Sequence, residues 1–143
     1  MNNLEKSLTL IAVVALALVA DDGTVLLQQR KRGGAHGGLW EFPGGKVKAC
    51  ESLETALVRE IREELGIELD PANLMPLAFS SDPAQPPLPR EPYVILLYTC
   101  RKWQGEPRCL AGEAIGWFAG EELAGLAKPP LDVPLVAALL RVI

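Results

Sequence analysis

Apolar and polar residues fall in blocks along this chain, and the blocks predict strands on either side of one amphipathic helix. Leu8 to Ala20 is an almost unbroken apolar run, followed by the polar turn Asp21-Asp22-Gly23-Thr24 and then by Val25–Gln29. Together they predict two strands joined as a hairpin. The glycine-rich stretch Gly33-Gly34-Ala35-His36-Gly37-Gly38 predicts a loop. Beyond it Leu53, Leu57, Ile61 and Leu65 recur every four residues, the spacing of a helix with one buried stripe. Ser52 suits its N-cap, Glu54 the positive end of its first turn, and Gly66 its C-terminal stop. Leu74–Phe79, Tyr93–Arg101 and Ala114–Phe118 predict further strands, and Pro134–Ile143 a last helix. Ser80–Pro92 carries Pro83, Pro86, Pro87, Pro89 and Pro92 and predicts a loop, either a stiff surface excursion or a lid. Strands mixed with a central and a terminal helix predict an α/β fold.

The central helix holds an anomaly of charge. At about 100° per residue, Glu60 and Glu64 fall within about 20° of Leu53, at the margin of the apolar stripe rather than opposite it. Glu63 lies further round, one turn from Arg59. Carboxylates held at a core margin are protonated, paired with arginine, or bound to a metal. Arg59 alone cannot neutralise Glu51, Glu60, Glu63 and Glu64 together. Oxygen-only donors suit a hard ion such as Mg2+ or Mn2+, which keeps water and accepts phosphate oxygens. The preceding Pro43-Gly44-Gly45 reads as a glycine-rich turn beside that metal, a pairing that points to phosphate chemistry.

The segment from Gly45 to Ile67 reads Gly-x5-Glu-x7-Arg-Glu-Ile-x-Glu-Glu-x-Gly-Ile, with Gly45, Glu51, Arg59, Glu60, Ile61, Glu63, Glu64, Gly66 and Ile67 as its letters. This pattern resembles the signature of the Nudix hydrolases at every fixed position. The flank Leu39-Trp40-Glu41-Phe42-Pro43-Gly44-Gly45-Lys46-Val47 resembles the MutT branch. So do Trp103-Gln104-Gly105-Glu106-Pro107, Trp117 and Pro129-Pro130-Leu131-Asp132-Val133-Pro134-Leu135. The resemblance extends from about Leu8 to the end of the chain.

It implies a Nudix-type α/β/α sandwich with a mixed sheet, and a Mg2+-dependent pyrophosphohydrolase. MutT-like members cut nucleoside triphosphates to the monophosphate and pyrophosphate, and are best known for removing oxidised purine nucleotides such as 8-oxo-dGTP. By position, the resemblance implies that Glu60 and Glu64 are metal ligands, with Glu63 beside them and the Gly44 carbonyl completing the set. Arg59 would orient the carboxylates, and Glu51 would brace the loop or bind a further metal. Glu60, or a glutamate outside the helix, would take the proton of the attacking water. Lys46 and Arg30 are candidates to neutralise phosphate oxygens, and Phe42 and Gly45 to line the substrate site.

Three departures from the family pattern stand out. A glutamate common before Trp117 is here Ala111, so either Glu113 substitutes from the same strand face or the site binds one metal fewer. Cys50 stands near a usual glycine, so it either distorts the loop or adopts a conformation that glycine favours. Asp132 occupies the place of an asparagine that reads the purine edge. Ionised, it only accepts hydrogen bonds, whereas a raised pKa in a dry pocket restores a donor. It is equally placed to cap the final helix, with Pro134 in its first turn.

Composition adds bounds. With 143 residues, 49% hydrophobic and 22% charged, the chain predicts one globular domain over residues 1–143. A net charge of −4 argues against a nucleic-acid face and favours a free nucleotide with its metal. Cys50, Cys100 and Cys109 show no metal-ligand spacing and suit a reducing cytoplasm. The flank 1–7 lacks the positive region of a signal peptide, and the apolar run after it is too short for a membrane helix. Monomer and homodimer are both compatible. His36 is expected on a flexible surface loop, and Trp103 and Trp117 in the core. A non-catalytic nucleotide sensor, or a hydrolase of ADP-sugars or dinucleoside polyphosphates, is the alternative function.

Overall fold

The computed structural model describes residues 9–83 and 91–143. In chain order its elements are β1 (Ile11–Leu18), β2 (Val25–Gln29), β3 (Trp40–Glu41), β4 (Gly44–Lys46), α1 (Leu53–Leu65), a 3-10 turn (Pro71–Asn73), β5 (Met75–Ser81), β6 (Tyr93–Cys100), β7 (Ala114–Phe118), α2 (Gly120–Gly125) and α3 (Asp132–Leu140).

The first apolar run is unbroken because β1 is buried on both faces. It pairs in parallel with β6 and antiparallel with β4, in a mixed sheet of order β4-β1-β6-β5. Val14, Leu16 and Leu18 point to one core, shared with Leu57, Ile61 and Leu65 of α1. Ala15, Ala17 and Val19 point to a second, shared with Leu123 of α2 and Leu135, Val136 and Leu139 of α3. A strand covered by helices on both sides has no polar face to alternate with. The layers are therefore helix, sheet and helices, the expected α/β/α sandwich.

A second sheet of order β3-β2-β7 stands beside the first. It corrects the expected hairpin. The turn forms, with Ala20 N–H donating to Thr24 O at 2.9 Å, but β1 and β2 share only the bridge Val19–Val25 before diverging into different sheets. The Pro43-Gly44-Gly45 turn is corrected too, because Gly44–Lys46 is a strand, and Trp40–Glu41, beyond the glycine-rich loop, is another. Their pairing is supplied by β1 and β2 rather than by their own propensity. β5 runs through Ser80 and Ser81, so the loop begins later than predicted. The lid reading falls largely on residues 84–90, outside those described. α3 starts at Asp132, two residues before Pro134, and ends at Leu140.

Candidate active site

Helix α1 is held by its own ends. Ser52 Oγ accepts from Thr55 N–H at 3.1 Å, and Gly66 closes the helix at φ 70°. Its buried stripe fixes rotation about the axis, which sets Glu60 and Glu64 against β4. A Cβ on Gly45 would collide with the Glu60 carboxylate, and one on Gly44 with the Val14 carbonyl of β1. The two glycines thus let β4 lie between the sheet and the carboxylates.

Arg59 organises the charge. Its Nε and Nη2 donate to the two oxygens of Glu51 at 2.6 and 2.9 Å. Nη1 donates to Glu60 Oε1 at 2.8 Å and to Glu63 Oε2 at 3.4 Å, and Nη2 also reaches Lys46 O at 3.2 Å. The Arg59 guanidinium, helped by Lys48 N–H, holds the Glu51 carboxyl down to about 2. The same loop contains Cys50 at φ 67°, in the left-handed conformation that glycine adopts without strain. Glu51, Arg59, Glu60, Glu63 and Lys46 are thereby brought together, with the Lys46 ammonium 5.5 Å from the Tyr93 ring centroid.

Glu64 lies apart from that network. Its Oε1 accepts from Gly44 N–H at 3.0 Å and from Gln28 Nε2 at 3.4 Å. Burial, reinforced by Glu60 and Glu41, pushes its carboxyl up to about 7 despite the Gly44 bond. Among the described residues no three Asp, Glu, His or Cys side chains stand close enough to form a finished metal cage. The donors nevertheless fit a hard divalent ion on two counts. Glu64 is a half-buried carboxyl beside Glu60 and Glu41, and Gln28 Oε1 is a buried oxygen without a hydrogen-bond partner among the described residues.

A cleft of about 630 Å3 runs from Gly44, Gly45 and Lys46 past Phe42, Tyr93 and Ile95 to Pro129, Pro130, Leu131 and Asp132. At its far end Asp132 is only 4% exposed, and its Oδ2 accepts from Phe42 N–H at 3.1 Å. Burial raises its carboxyl to about 7. The capping expectation is corrected: Asp132 is the first residue of α3, and its side chain reaches across to the chain before β4. Arg30 borders the same cleft. It pairs with Glu41 through Nη1 at 3.0 and 3.2 Å and donates from Nε to Ala35 O.

Glu113 is not brought to the site. Residues 110–113 form bends rather than strand, β7 begins only at Ala114, and Glu113 is exposed. The expected shared strand face with Ala111 is therefore absent. Trp117 is another correction. It is 36% exposed and stacks on Trp103 at 6.0 Å, while Trp103 packs against the first core. His36 lies on an exposed loop at φ 58°. Sequence reasoning passed over Gln28 and Glu41. The sign available was a polar pair, Gln28-Gln29, ending the apolar strand β2.

Comparison with known proteins agrees with this geometry. The NUDIX domain pattern matches residues 8–139. The chain is 36% identical over 131 residues to the CTP pyrophosphohydrolase of Escherichia coli K12, covering 90% of each. It is 33% identical over 129 residues to the 8-oxo-dGTP diphosphatase of Haemophilus influenzae Rd, again covering 90% of each. The crystal structure of the MutT NUDIX hydrolase from Burkholderia pseudomallei superposes with a TM-score of 0.74 at 34% identity, over 94% of this chain and 99% of that one. Fold, glutamate helix and family pattern coincide over nearly the whole chain, which belongs to the NUDIX family as a MutT-like, Nudix-type hydrolase acting on nucleotides.

Proposed function

We propose that this protein is a Mg2+-dependent pyrophosphohydrolase, with Mn2+ able to substitute, that cuts (deoxy)nucleoside triphosphates to the monophosphate and pyrophosphate. Its preferred substrates are oxidised purine nucleotides such as 8-oxo-dGTP, cleared from the cytoplasmic pool. One observation carries the reading: a single cleft joins Asp132 at one end to Gly44 and Gly45 at the other, where Glu60 and Glu64 pack. A base seated at Asp132 would extend its phosphates toward the glutamate helix.

The residues divide the work. Glu60, Glu64 and the Gly44 carbonyl would hold the cation, with Glu63 beside them. When bound there, a divalent ion would supply positive charge against the polyphosphate and lower the pKa of the attacking water. Arg59 keeps Glu51 ionised and orients Glu51 and Glu60 through its fork of hydrogen bonds. Gly44 N–H holds Glu64 by one oxygen and leaves Oε2 for the ion. Glu60 takes the proton of the attacking water. Lys46 and Arg30 draw phosphate oxygens toward the cleft, and Phe42 forms part of the apolar wall for the base.

Asp132 carries the choice of base. With Oδ2 engaged by Phe42 N–H, Oδ1 remains for the base edge, and a carboxyl raised to about 7 both donates and accepts near neutrality. A purine bearing oxidised and amino groups uses both. A second reading, cytidine triphosphate, has the Escherichia coli relative in its favour. Ionised Asp132 and Glu41 would suit an exocyclic amino group.

The test is pyrophosphate release with Mg2+ across 8-oxo-dGTP, dGTP, CTP, dCTP and ADP-ribose, with Glu60→Gln as control. Cleavage of 8-oxo-dGTP well above dGTP supports the sanitising reading. CTP as the best substrate supports the second. Tight nucleotide binding without turnover of any triphosphate would point to a sensor instead.

A further inference from the structure

Gln28 presents a buried oxygen close to Ala111, the position where the family pattern places a glutamate. Gln28, near the end of β2, is 5% exposed, between Leu27 and Gln29 in a strand whose other buried members are Val25, Leu26 and Leu27. An apolar side chain of equal length would satisfy that packing. Gln28 instead donates from Nε2 to Glu64 Oε1 at 3.4 Å, while its Oε1 is buried with no hydrogen-bond partner among the described residues. A buried acceptor left unpaired is destabilising, so its presence here calls for a partner that arrives later.

The position of Gln28 says which partner. Its Cγ and Cδ lie against the backbone of Gly112, where an added Cβ would stand 2.6 and 2.9 Å from them. Gln28, Glu41, Ala111 and Gly112 also line one cavity of about 310 Å3. The amide thus lies between Glu64 and the segment from which the missing carboxylate would have reached inward. Glu113, the other candidate to replace it, is exposed and lines neither this cavity nor the nucleotide cleft.

We propose that Gln28 stands in for the carboxylate missing at Ala111, its Oε1 accepting the divalent cation held by Glu64, directly or through one of the ion's waters. The inference rests on the metal-dependent reading above. An amide oxygen is a hard donor of the right class but carries no charge, so the centre would carry one negative charge fewer. Nε2 meanwhile steadies the first ligand, Glu64, as outer partners of metal ligands do.

Mn2+ binding followed by electron paramagnetic resonance tests this without relying on turnover. Gln28→Met keeps the volume and removes the amide, and should weaken Mn2+ binding about tenfold or more. Its metal-free Tm should equal or exceed that of the wild type, because the orphaned acceptor is gone. Adding Ala111→Glu to Gln28→Met should restore affinity. Gln28→Glu, which returns the charge, should bind Mn2+ more tightly than wild type and serves if Gln28→Met does not fold. Wild-type affinity in Gln28→Met, or no tightening in Gln28→Glu, would overturn the assignment of Gln28 alone. Absence of Mn2+ binding by the wild type would overturn the metal-dependent reading together with it.

Discussion

Replacing Asp132 by asparagine separates a titrating carboxyl from the fixed hydrogen bond it makes. The side chain is 4% exposed, its Oδ2 accepts from Phe42 N–H at 3.1 Å, and burial lifts it from an ordinary 3.8 to about 7. A carboxyl whose folded pKa lies above its unfolded one leaves the native state most stable below the unfolded value. Stability is then lost as pH rises through the folded value. The window therefore runs from about pH 4 to about pH 7. A shift of about three units corresponds to about 4 kcal/mol at most, and entry of water from the adjoining cleft reduces it to about 2 kcal/mol. Asparagine still accepts from Phe42 N–H and never ionises. Urea midpoints measured for both proteins from pH 4 to pH 8.5 should show Asp132→Asn gaining on the wild type through that window, then a constant advantage above it. Glu41 and Glu64, also raised by burial, are common to both proteins and largely cancel in the difference. A wild-type-to-variant difference that stays flat with pH would refute the reasoning, because Asp132 would then hold one charge state throughout.

Four further substitutions in the site have defined outcomes. Glu64→Gln keeps an oxygen for Gly44 N–H and should fold normally, but pyrophosphate release should fall about a hundredfold or more; an unchanged rate would remove Glu64 from the metal site. Arg59→Lys cannot reproduce a fork that reaches Glu51, Glu60, Glu63 and Lys46 O at once. It should lower Mg2+ affinity and kcat together, and an increase in KM alone would assign Arg59 to substrate instead. Gly44→Ala drives a Cβ into the Val14 backbone and should cost about 1–3 kcal/mol of stability by urea unfolding. Gly45→Ala meets only the end of the Glu60 side chain, so its Tm should fall less while its activity falls more; the reverse order would mean that β4 is placed otherwise.

The glutamate helix was legible because everything that makes it is local. Ser52, Gly66 and the four-residue spacing of Leu53, Leu57, Ile61 and Leu65 act within a few turns, and rotation about the axis follows from that stripe. The placement of Glu60 and Glu64 beside the core could be read in the same way. The strands around it were legible only in part. Gly44–Lys46 is strand because the edge of β1 recruits it, and two glycines announce no such preference.

Family pattern, fold class and the carboxylate helix were thus determined by the sequence by itself, since each depends on periodicity and fixed spacing. Tertiary structure alone decided which groups share a neighbour. It sent Asp132 to Phe42, 90 positions away, instead of to its own helix end. It turned Glu113 out of the site and left Trp117 on the surface. It also set Gln28 against Glu64, 36 positions on, with its oxygen buried and unpaired among the described residues. Burial and hydrogen-bond partnership belong to pairs of distant segments, and no local pattern along one strand or helix encodes the segment that will lie opposite it.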